Sequence, residues 1–290
     1  MGDQFAPSVP GTQHSALRTR HSALSSPHSA PSLLPFSIIT AAYQAASKLD
    51  ATIETVLRED PTLFEYIVVD GGSDDSSIEV LKRYGDRIRW ISEPDRGVYD
   101  AMNKGIAISA GRYLYFLGAG DVLYPGVLSR IAAELPDHDR AVVYGNFSVP
   151  HDDTNYYGHV GKYWLCLVYD ICHQSAFYGR EVFEMLGKYD LRYPVRSDYL
   201  TNIRAFCDER IEKKYVDLTV ACYERGGMSE LLIDDAFVED FPAIIRENLK
   251  VPWAAGPIFD FALRLRFNAS FREFGRRVFQ VFRTAFRRKG

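Results

Sequence analysis

Short apolar segments alternate with helix-like segments along residues 36–144 of this 290-residue chain, and this alternation most constrains its fold. Strands are predicted at residues 36–40, 65–70, 87–92, 113–117 and 141–144. Apolar residues three or four positions apart predict helices at 48–58, 75–84, 98–109 and 125–134. Strands that alternate with helices of this length form parallel sheets with right-handed crossovers. We therefore expect an α/β, Rossmann-like domain whose mostly parallel sheet is flanked by helices.

The second half of the pattern is less regular. Closely spaced Tyr, Gly and His at residues 145–163 predict a hairpin or a meander. Further on, we expect helices at 180–186 and 197–206 and a strand at 215–223. This division predicts a regular, nucleotide-binding half and a less regular, acceptor-binding half within one domain.

The two ends of the chain differ from its middle. Residues 1–34 are rich in Ser and Pro and have no long apolar stretch, which is typical of disordered segments. The predicted domain covers residues 35–235, and residues 236–290 form a predicted helical, basic amphipathic extension.

Apolar residues recur every three or four positions between 259 and 285, which predicts one apolar helical face in this extension. Residues 257–290 carry nine Lys or Arg against two acidic residues, a net charge of +7. Two interpretations are open. The apolar face packs on the domain or a partner subunit, or the segment makes peripheral contact with an anionic membrane surface.

The composition excludes several other classes of protein. A net charge of −4 gives no overall attraction to a nucleic acid polymer. The four cysteines form no CxxC pair and no zinc-like spacing with histidine. The sequence contains no run of 18 apolar residues, so it predicts no membrane-spanning helix. We expect a cytoplasmic protein, peripheral on the inner face of the cytoplasmic membrane if the extension binds lipid.

Two aspartates lie at the ends of predicted strands, Asp70 as the last residue of one strand and Asp121 in the turn that follows another. Asp70 opens a Gly-Gly-Ser-Asp-Asp turn, and Asp121 closes a Gly-Ala-Gly-Asp turn. Because open α/β sheets bind ligands at the carboxyl edge of their strands, both carboxylates point to a nucleotide diphosphate site. Asp70 would accept hydrogen bonds from a base or a ribose. The alternative for each aspartate is a purely local role in its turn or in a helix cap.

Asp121 is the predicted metal ligand. Mg²⁺ and Mn²⁺ prefer oxygen ligands and are typically held by one or two carboxylates plus substrate phosphates. Such an ion would neutralise the charge that develops on a departing nucleotide diphosphate.

A polar segment at residues 93–105 supplies further candidates. Arg96 or Lys104 would meet phosphates, and Asn103 would bind a sugar or ribose hydroxyl. Asp95 and Asp100 complete this candidate group. Residues 100, 103 and 104 share one face of a helix, for which a merely solvated charged face is the alternative.

Three residues of the second half complete the candidates, of which His173 and Gln174 are assigned to binding the nucleotide sugar and Asp198 to the chemistry. His173 and Gln174 stand between two apolar runs, and Asp198 begins a predicted helix. A carboxylate such as Asp198 can act as general base on an acceptor hydroxyl, and such a base contributes about 10²–10⁴ in rate. Its alternative is a helix cap.

The order of these motifs resembles that of the family 2 glycosyltransferases, which have the GT-A fold. The matching segments are residues 36–43, 68–75, 93–105, 113–121, 173–174, 198 and 226–229. The Glu-Pro-Asp-x-Gly-x-Tyr-Asp-Ala-Met-Asn-Lys-Gly core is similar to that of bacterial polysaccharide and colanic-acid-type transferases.

The resemblance implies an inverting, single-displacement transfer from a nucleotide-diphosphate sugar to a saccharide or lipid-linked acceptor. It implies Asp198 as catalytic base, Asp121 as ligand of Mn²⁺ or Mg²⁺, and Asp70 at the nucleotide base. Thr40, Tyr43 and Ser73 join the nucleotide-sugar-binding candidates. Two positions depart from the family pattern: Gln44 replaces the usual Asn, and Asp121 stands alone where paired aspartates are usual.

Three alternative functions differ in the sequence features that they require. A nucleotidyltransferase would need a glycine-rich, basic loop after the first strand, which residues 40–44 lack. A dinucleotide dehydrogenase would need Gly-x-Gly-x-x-Gly, which Gly71 and Gly72 do not supply. A catalytically weak nucleotide-sugar-binding or scaffold protein stays open because the acidic motif is reduced to one carboxylate.

Overall fold

The computed structural model describes residues 34–150, 159–167, 170–224, 232–250 and Leu263. The predicted disordered tail at 1–34, apart from Leu34, lies outside the described residues. So do the motif at 226–229 and nearly all of the basic segment at 257–290.

One sheet of eight strands forms the centre of the described chain. The strands are β1 Phe36–Ala42, β2 Phe64–Asp70, β3 Arg89–Ser92, β4 Tyr113–Phe116, β5 Val122–Leu123, β6 Ala141–Ser148, β7 Ala176–Gly179 and β8 Glu212–Cys222. Their order across the sheet is β3-β2-β1-β4-β7-β6-β8-β5. The strands β3, β2, β1 and β4 are parallel, as predicted. The other half is mixed, because β7 runs antiparallel to β4 and β6, and β5 runs antiparallel to β8.

Helices cover both faces of this sheet. They are α1 Ala46–Val56, α2 Ser77–Tyr84, α3 Val98–Ile108, α4 Val127–Ala132, α5 Lys162–Leu167, α6 Arg180–Leu186, α7 Ser197–Cys207 and α8 Asp235–Leu249. Single 3₁₀ turns lie at Gly85–Arg87 and His173–Ser175. In the described part of the chain, no helix is long and apolar enough to cross a membrane.

Alternation within the strands builds two apolar layers. In β4, Leu114 and Phe116 join the core beneath α3, α6 and α7, whereas Tyr113 and Tyr115 join the core beneath α1, α2 and α4. This is the period of two that a strand buried on both faces requires. The α3 helix approaches β1 closely because residue 105 is glycine, where an added Cβ would lie 2.4 Å from Cγ2 of Ile39.

The helix α8 packs against α7. The rings of Phe237 and Phe241 lie 5.6 and 5.9 Å from the ring of Tyr199. Burying each phenylalanine stabilises the fold by about 1.5–3 kcal/mol. Asp234 caps α8 by accepting the amide of Phe237, and its other oxygen accepts the amide of Val195 at 3.1 Å. Asp234, at the end of the predicted domain, therefore fixes the chain just before α7, and Leu263 of the predicted extension is buried in the same core.

The hairpin or meander predicted at residues 145–163 is described only in part, because residues 151–158 lie outside the described residues. Residues 145–148 continue β6, whereas residues 162 and 163 belong to the helix α5, in which Leu165 and Cys166 are buried. Gly145 lies in the sheet at an irregular register between β6 and β8. A Cβ there would lie 2.4 Å from the carbonyl oxygen of Leu218, so glycine permits the close approach of β8.

Candidate active site

The carboxyl ends of the four parallel strands bring the first candidates to one edge of the sheet. Asp70 is the last residue of β2 and lies in register with Ser92, the last residue of β3. On the other side, β1 and β4 are neighbours, and the turn at residues 118–121 follows β4. Asp70 and Asp121 therefore both lie at this edge, two strands apart.

Asp70 organises its own turn. Its side chain is fully buried, and Oδ2 accepts hydrogen bonds from the amides of Gly72 and Ser73, both at 3.0 Å, and from the Ser92 hydroxyl at 2.7 Å. The Ser73 hydroxyl donates to Oδ1 and accepts from the Gln44 amide at 2.8 Å. The carboxylate thus ties the ends of β1, β2 and β3 together, and its hydrogen-bonding capacity is directed to the chain itself.

Two candidates at the end of β1 have contrasting surroundings. Thr40 is fully buried and its hydroxyl lies 3.0 Å from the hydroxyl of Tyr66. Tyr43 is 62% exposed beside the turn of Ser73. Only Tyr43 presents its side chain to an incoming ligand.

The loop before α3 lies over the Asp70 turn. Oδ1 of Asp95 accepts the amide of Gly97 at 2.8 Å, and a Cβ added to Gly71 would lie 2.5 Å from Oδ2 of Asp95. Gly71 thus permits Asp95 to approach the turn. Lys104 holds this loop by donating to the carbonyl of Pro94 at 2.8 Å and pairing with Glu93 at 3.1 Å.

Three further candidates lie in this segment: Arg96, Asp100 and Asn103. Arg96 forms an ion pair with Asp100 at 3.2 Å, and its side chain is 75% exposed, so it can turn toward a phosphate. The Asn103 amide bonds both backbone groups of Tyr189, each at 2.9 Å. Because both ends of the amide are engaged, we leave Asn103 out of the proposed donor pocket.

Asp121 is held by three N–H donors. Oδ2 accepts from the Gly118 amide at 3.1 Å and from Nε2 of Gln174 at 2.8 Å, and Oδ1 accepts from the Glu224 amide at 3.0 Å. Lys48 forms an ion pair with Glu224 at 2.8 Å, which closes this cluster on the outside.

The dipeptide His173–Gln174 connects two of the candidate carboxylates, Asp121 and Asp198. Gln174 donates to Asp121, while Nδ1 of His173 lies 2.8 Å from Oδ2 of Asp198. Asp198 stands in the first turn of α7, where its Oδ1 accepts from the Tyr99 hydroxyl at 2.7 Å and the Tyr199 amide at 2.8 Å. Two residues that are adjacent in the chain thus bring residues 121 and 198 into one site.

Burial and charge shift the pKa values here in opposite directions. The pKa of Asp121 is raised, because burial raises it by more than its hydrogen bonds lower it. The largest of these lowering contributions is the hydrogen bond from the Glu224 amide. Burial also acts to raise the pKa of Asp198, but the hydrogen bond and charge of His173 lower it on balance. For His173, burial acts to lower the pKa, and the hydrogen bond and charge of Asp198, with the charges of Asp121 and Asp170, raise it above its usual value.

The single carboxylate of Asp121 fits a metal ion that is held mainly by substrate phosphates. In the described residues no three His, Cys, Asp or Glu side chains group together as a complete metal site. Among the described residues, three donors occupy three of about four lone-pair positions on Asp121, which leaves one position for a metal. One carboxylate with a diphosphate is a known way to hold Mg²⁺.

Sequence reasoning missed Tyr99, which donates to Asp198, and Ser92, which donates to Asp70. Ser92 could have been found, since it ends the strand next to Asp70 in a parallel sheet. Tyr99 could not, because its partner lies 99 residues away.

Comparisons with known proteins identify the family of the chain. The family model of glycosyl transferase family 2 matches residues 37–196. A PGL/p-HBAD biosynthesis glycosyltransferase of Mycobacterium bovis is 34% identical over 223 residues, which cover 74% of this chain and 87% of the relative. An uncharacterized glycosyltransferase of Mycobacterium tuberculosis is 30% identical over 183 residues, 58% of this chain and 68% of the relative.

Two solved structures share the fold. S. aureus TarS has a TM-score of 0.59 at 15% identity, over 83% of this chain and 44% of TarS. A mannosyltransferase from Pyrobaculum calidifontis, in complex with GDP-Man and Mn²⁺, has a TM-score of 0.58 at 16% identity, over 87% of this chain and 75% of that chain. These likenesses show the GT-A fold. With the family match over more than half of its length, the chain is a glycosyltransferase that belongs to glycosyl transferase family 2.

Proposed function

We propose that this enzyme transfers a sugar, with inversion, from a nucleotide-diphosphate sugar to a hydroxyl of a saccharide or lipid-linked acceptor of a surface polysaccharide. The observation that carries the proposal is the link through His173–Gln174 between Asp121 and Asp198. An inverting displacement needs a group that stabilises the leaving diphosphate and a base that deprotonates the acceptor. The two ends of this link supply one each.

The donor half of the proposal uses the edge of the parallel strands. We assign the nucleoside to the surface around Tyr43, Asp95 and the Asp70 turn, and the diphosphate to the region of Arg96 and Asp121. Solved relatives of the same fold were crystallised with UDP-GlcNAc and with GDP-Man, which supports a nucleotide-sugar donor without naming the one used here.

Asp121 is the proposed ligand of Mn²⁺ or Mg²⁺. When bound, the ion would neutralise charge on the leaving diphosphate. Gln174 and the amides of Gly118 and Glu224 orient the carboxylate for this task.

In the proposed reaction the base removes the proton of the acceptor hydroxyl, whose oxygen forms a bond to C1 of the sugar. The bond from C1 to the phosphate oxygen breaks, and its electron pair leaves with the nucleoside diphosphate. We place the base at Asp198 and its hydrogen-bonded partner His173. Both side chains are largely enclosed, at 13% and 18% exposure, which limits access of bulk water.

Calorimetric titration tests the donor site. Wild-type protein should bind UDP or GDP more tightly with Mn²⁺ than without it, and Asp121→Ala should lose the metal-dependent part. Asp86→Ala is the control, because Asp86 is an exposed acid in the turn after α2. Metal-independent binding that Asp121→Ala leaves unchanged would reject the assignment.

Turnover separates an enzyme from a scaffold. We expect wild-type protein to release UDP or GDP from at least one member of a panel of UDP- and GDP-sugars. Binding without release, in the presence of candidate acceptors and Mn²⁺, would favour the nucleotide-sugar-binding scaffold.

We further propose that residues 257–290 make peripheral contact with an anionic membrane, since the sequence there combines nine basic residues with a predicted apolar helical face. Deletion of this segment should abolish co-sedimentation with vesicles of anionic lipid. Co-sedimentation that the deletion leaves unchanged would contradict the proposal.

A further inference from the structure

We propose that the acceptor proton is taken by Nε2 of His173, and that Asp198 orients the imidazole and stabilises its charge. This inference rests on the proposed sugar transfer and names the atom that acts as its base. It differs from the expectation that Asp198 itself removes the proton.

The oxygens of Asp198 are already engaged by the protein. Oδ1 accepts from the Tyr99 hydroxyl and the Tyr199 amide, and Oδ2 lies 2.8 Å from Nδ1 of His173. A proton taken up by Asp198 at its remaining lone pair would neutralise the carboxylate and so weaken all three of these bonds. Breaking a hydrogen bond to a buried charged group is costly.

His173 has the opposite arrangement. An ionised carboxylate only accepts hydrogen bonds, so Nδ1 carries a hydrogen and the neutral ring has its lone pair on Nε2. Among the described residues, no group forms a hydrogen bond with Nε2. This atom is not fully buried, and the His173 side chain is 18% exposed. The pair therefore ends on an open acceptor, as a carboxylate-oriented histidine base does in hydrolases.

The position of His173 in the site suits this role. The next residue, Gln174, holds Asp121, and Asp121 is close enough for its charge to raise the pKa of His173. The proton acceptor and the proposed diphosphate site are therefore adjacent, as a single displacement at C1 requires.

The step balances as follows. Nε2 of His173 accepts the proton of the acceptor hydroxyl while the acceptor oxygen bonds to C1, and the nucleoside diphosphate leaves with the electron pair of the broken bond. The imidazolium that forms is hydrogen-bonded to the carboxylate of Asp198. No oxidant, reductant or further reactant is needed.

The two possible bases predict different pH profiles. The charged groups around His173 are Asp198, Asp121 and Asp170, and together they hold its pKa above the usual value of about 6.5. A base with this pKa is active only when deprotonated, so turnover should rise with pH through a value above about 6.5. If Asp198 were the base, its lowered pKa would put that rise below about 3.9.

The test uses His173→Gln, measured by release of UDP or GDP from the sugar nucleotide that wild-type protein turns over, with water or a saccharide as acceptor. We expect turnover to fall by about 10²–10⁴. Affinity for UDP or GDP with Mn²⁺ should stay within about threefold, since His173 does not hold the proposed metal ligand. His138→Gln is the matched control, because His138 pairs with Glu212 on the surface.

A second variant guards against a folding defect. In His173→Ala, added imidazole should restore part of the turnover and should do nothing for wild-type protein. A His173→Gln protein that keeps more than a tenth of wild-type turnover, or a wild-type profile that rises only below pH 4, would overturn the inference. Absence of nucleotide binding and turnover in wild-type protein would instead reject the proposed function itself.

Discussion

The Asp70 turn and the Asp198–His173 pair are both acidic clusters in the candidate site, yet their hydrogen bonds face in different directions. The carboxylate oxygens of Asp70 accept hydrogen bonds from its own turn and from the neighbouring strand, and the side chain is fully buried. The second cluster ends on a ring nitrogen without a partner in the described chain. The first holds the shape of a surface, and the second presents a reactive group.

This contrast follows from where each cluster lies in the sheet. The Asp70 turn joins parallel strands, so neighbouring strand ends meet it in register. His173 and Asp198 come from a 3₁₀ turn before an antiparallel strand and from the first turn of α7. Regular parallel structure supplies rigidity, and the mixed half positions side chains from separate segments.

The largest expected effect tests the structural role of Asp70. In Asp70→Ala the amides of Gly72 and Ser73 and the hydroxyl of Ser92 lose their acceptor. The free energy of unfolding should fall by about 3 kcal/mol, because each unsatisfied buried group costs about 1–3 kcal/mol. Urea unfolding measures this loss.

Asp74→Ala is the control for this substitution, since Asp74 is exposed and accepts one hydrogen bond from Gln44. It should change stability by less than about 0.5 kcal/mol. Equal stability of the two variants would show that Asp70 does not hold the turn.

An intermediate effect tests whether Asp95 belongs to the nucleotide surface. Gly71→Ala would place a Cβ 2.5 Å from Oδ2 of Asp95 and push that carboxylate away. Affinity for UDP or GDP should fall about tenfold, which is about 1.4 kcal/mol. Gly161→Ala serves as control because open space surrounds Gly161. Wild-type affinity in Gly71→Ala would remove Asp95 from the pocket.

The smallest expected effect tests the positioning of Asp198. Tyr99→Phe removes the hydroxyl that donates to Oδ1 at 2.7 Å and leaves the His173 contact in place. Turnover should fall by no more than about tenfold, since one hydrogen bond to a charged group is worth about 1.5–3 kcal/mol and only part acts on the base. A loss as large as that of His173→Gln would mean that Asp198 acts directly.

The regular half of the fold could be predicted from sequence, and the mixed half only in part. Strands β1 to β4 follow from apolar runs between amphipathic helices, and the helix at residues 180–186 was predicted with its observed ends. Strands β5 and β7 were missed because they have two and four residues and pair antiparallel with distant strands. The helix α5 was missed because its six residues are too few to show an amphipathic repeat.

The candidate site shows the same limit. The turns after β2 and β4 identify Asp70 and Asp121 as edge residues, since a parallel sheet gathers its strand ends. The contact of His173 with Asp198 spans 25 residues, and that of Tyr99 with Asp198 spans 99. The local sequence pattern contains no signal for such pairs. The sequence therefore predicted His173 and Asp198 as candidates but not the contact between them.

The central claim is that Asp121 and the Asp198–His173 pair line one donor pocket. A crystal structure with Mn²⁺ and whichever of UDP or GDP binds would test it most directly. We expect the metal to bridge Asp121 and the diphosphate, with Nε2 of His173 facing the side of the terminal phosphate from which an acceptor would approach. A diphosphate bound away from Asp121, or one separated from His173 by intervening chain, would contradict the account.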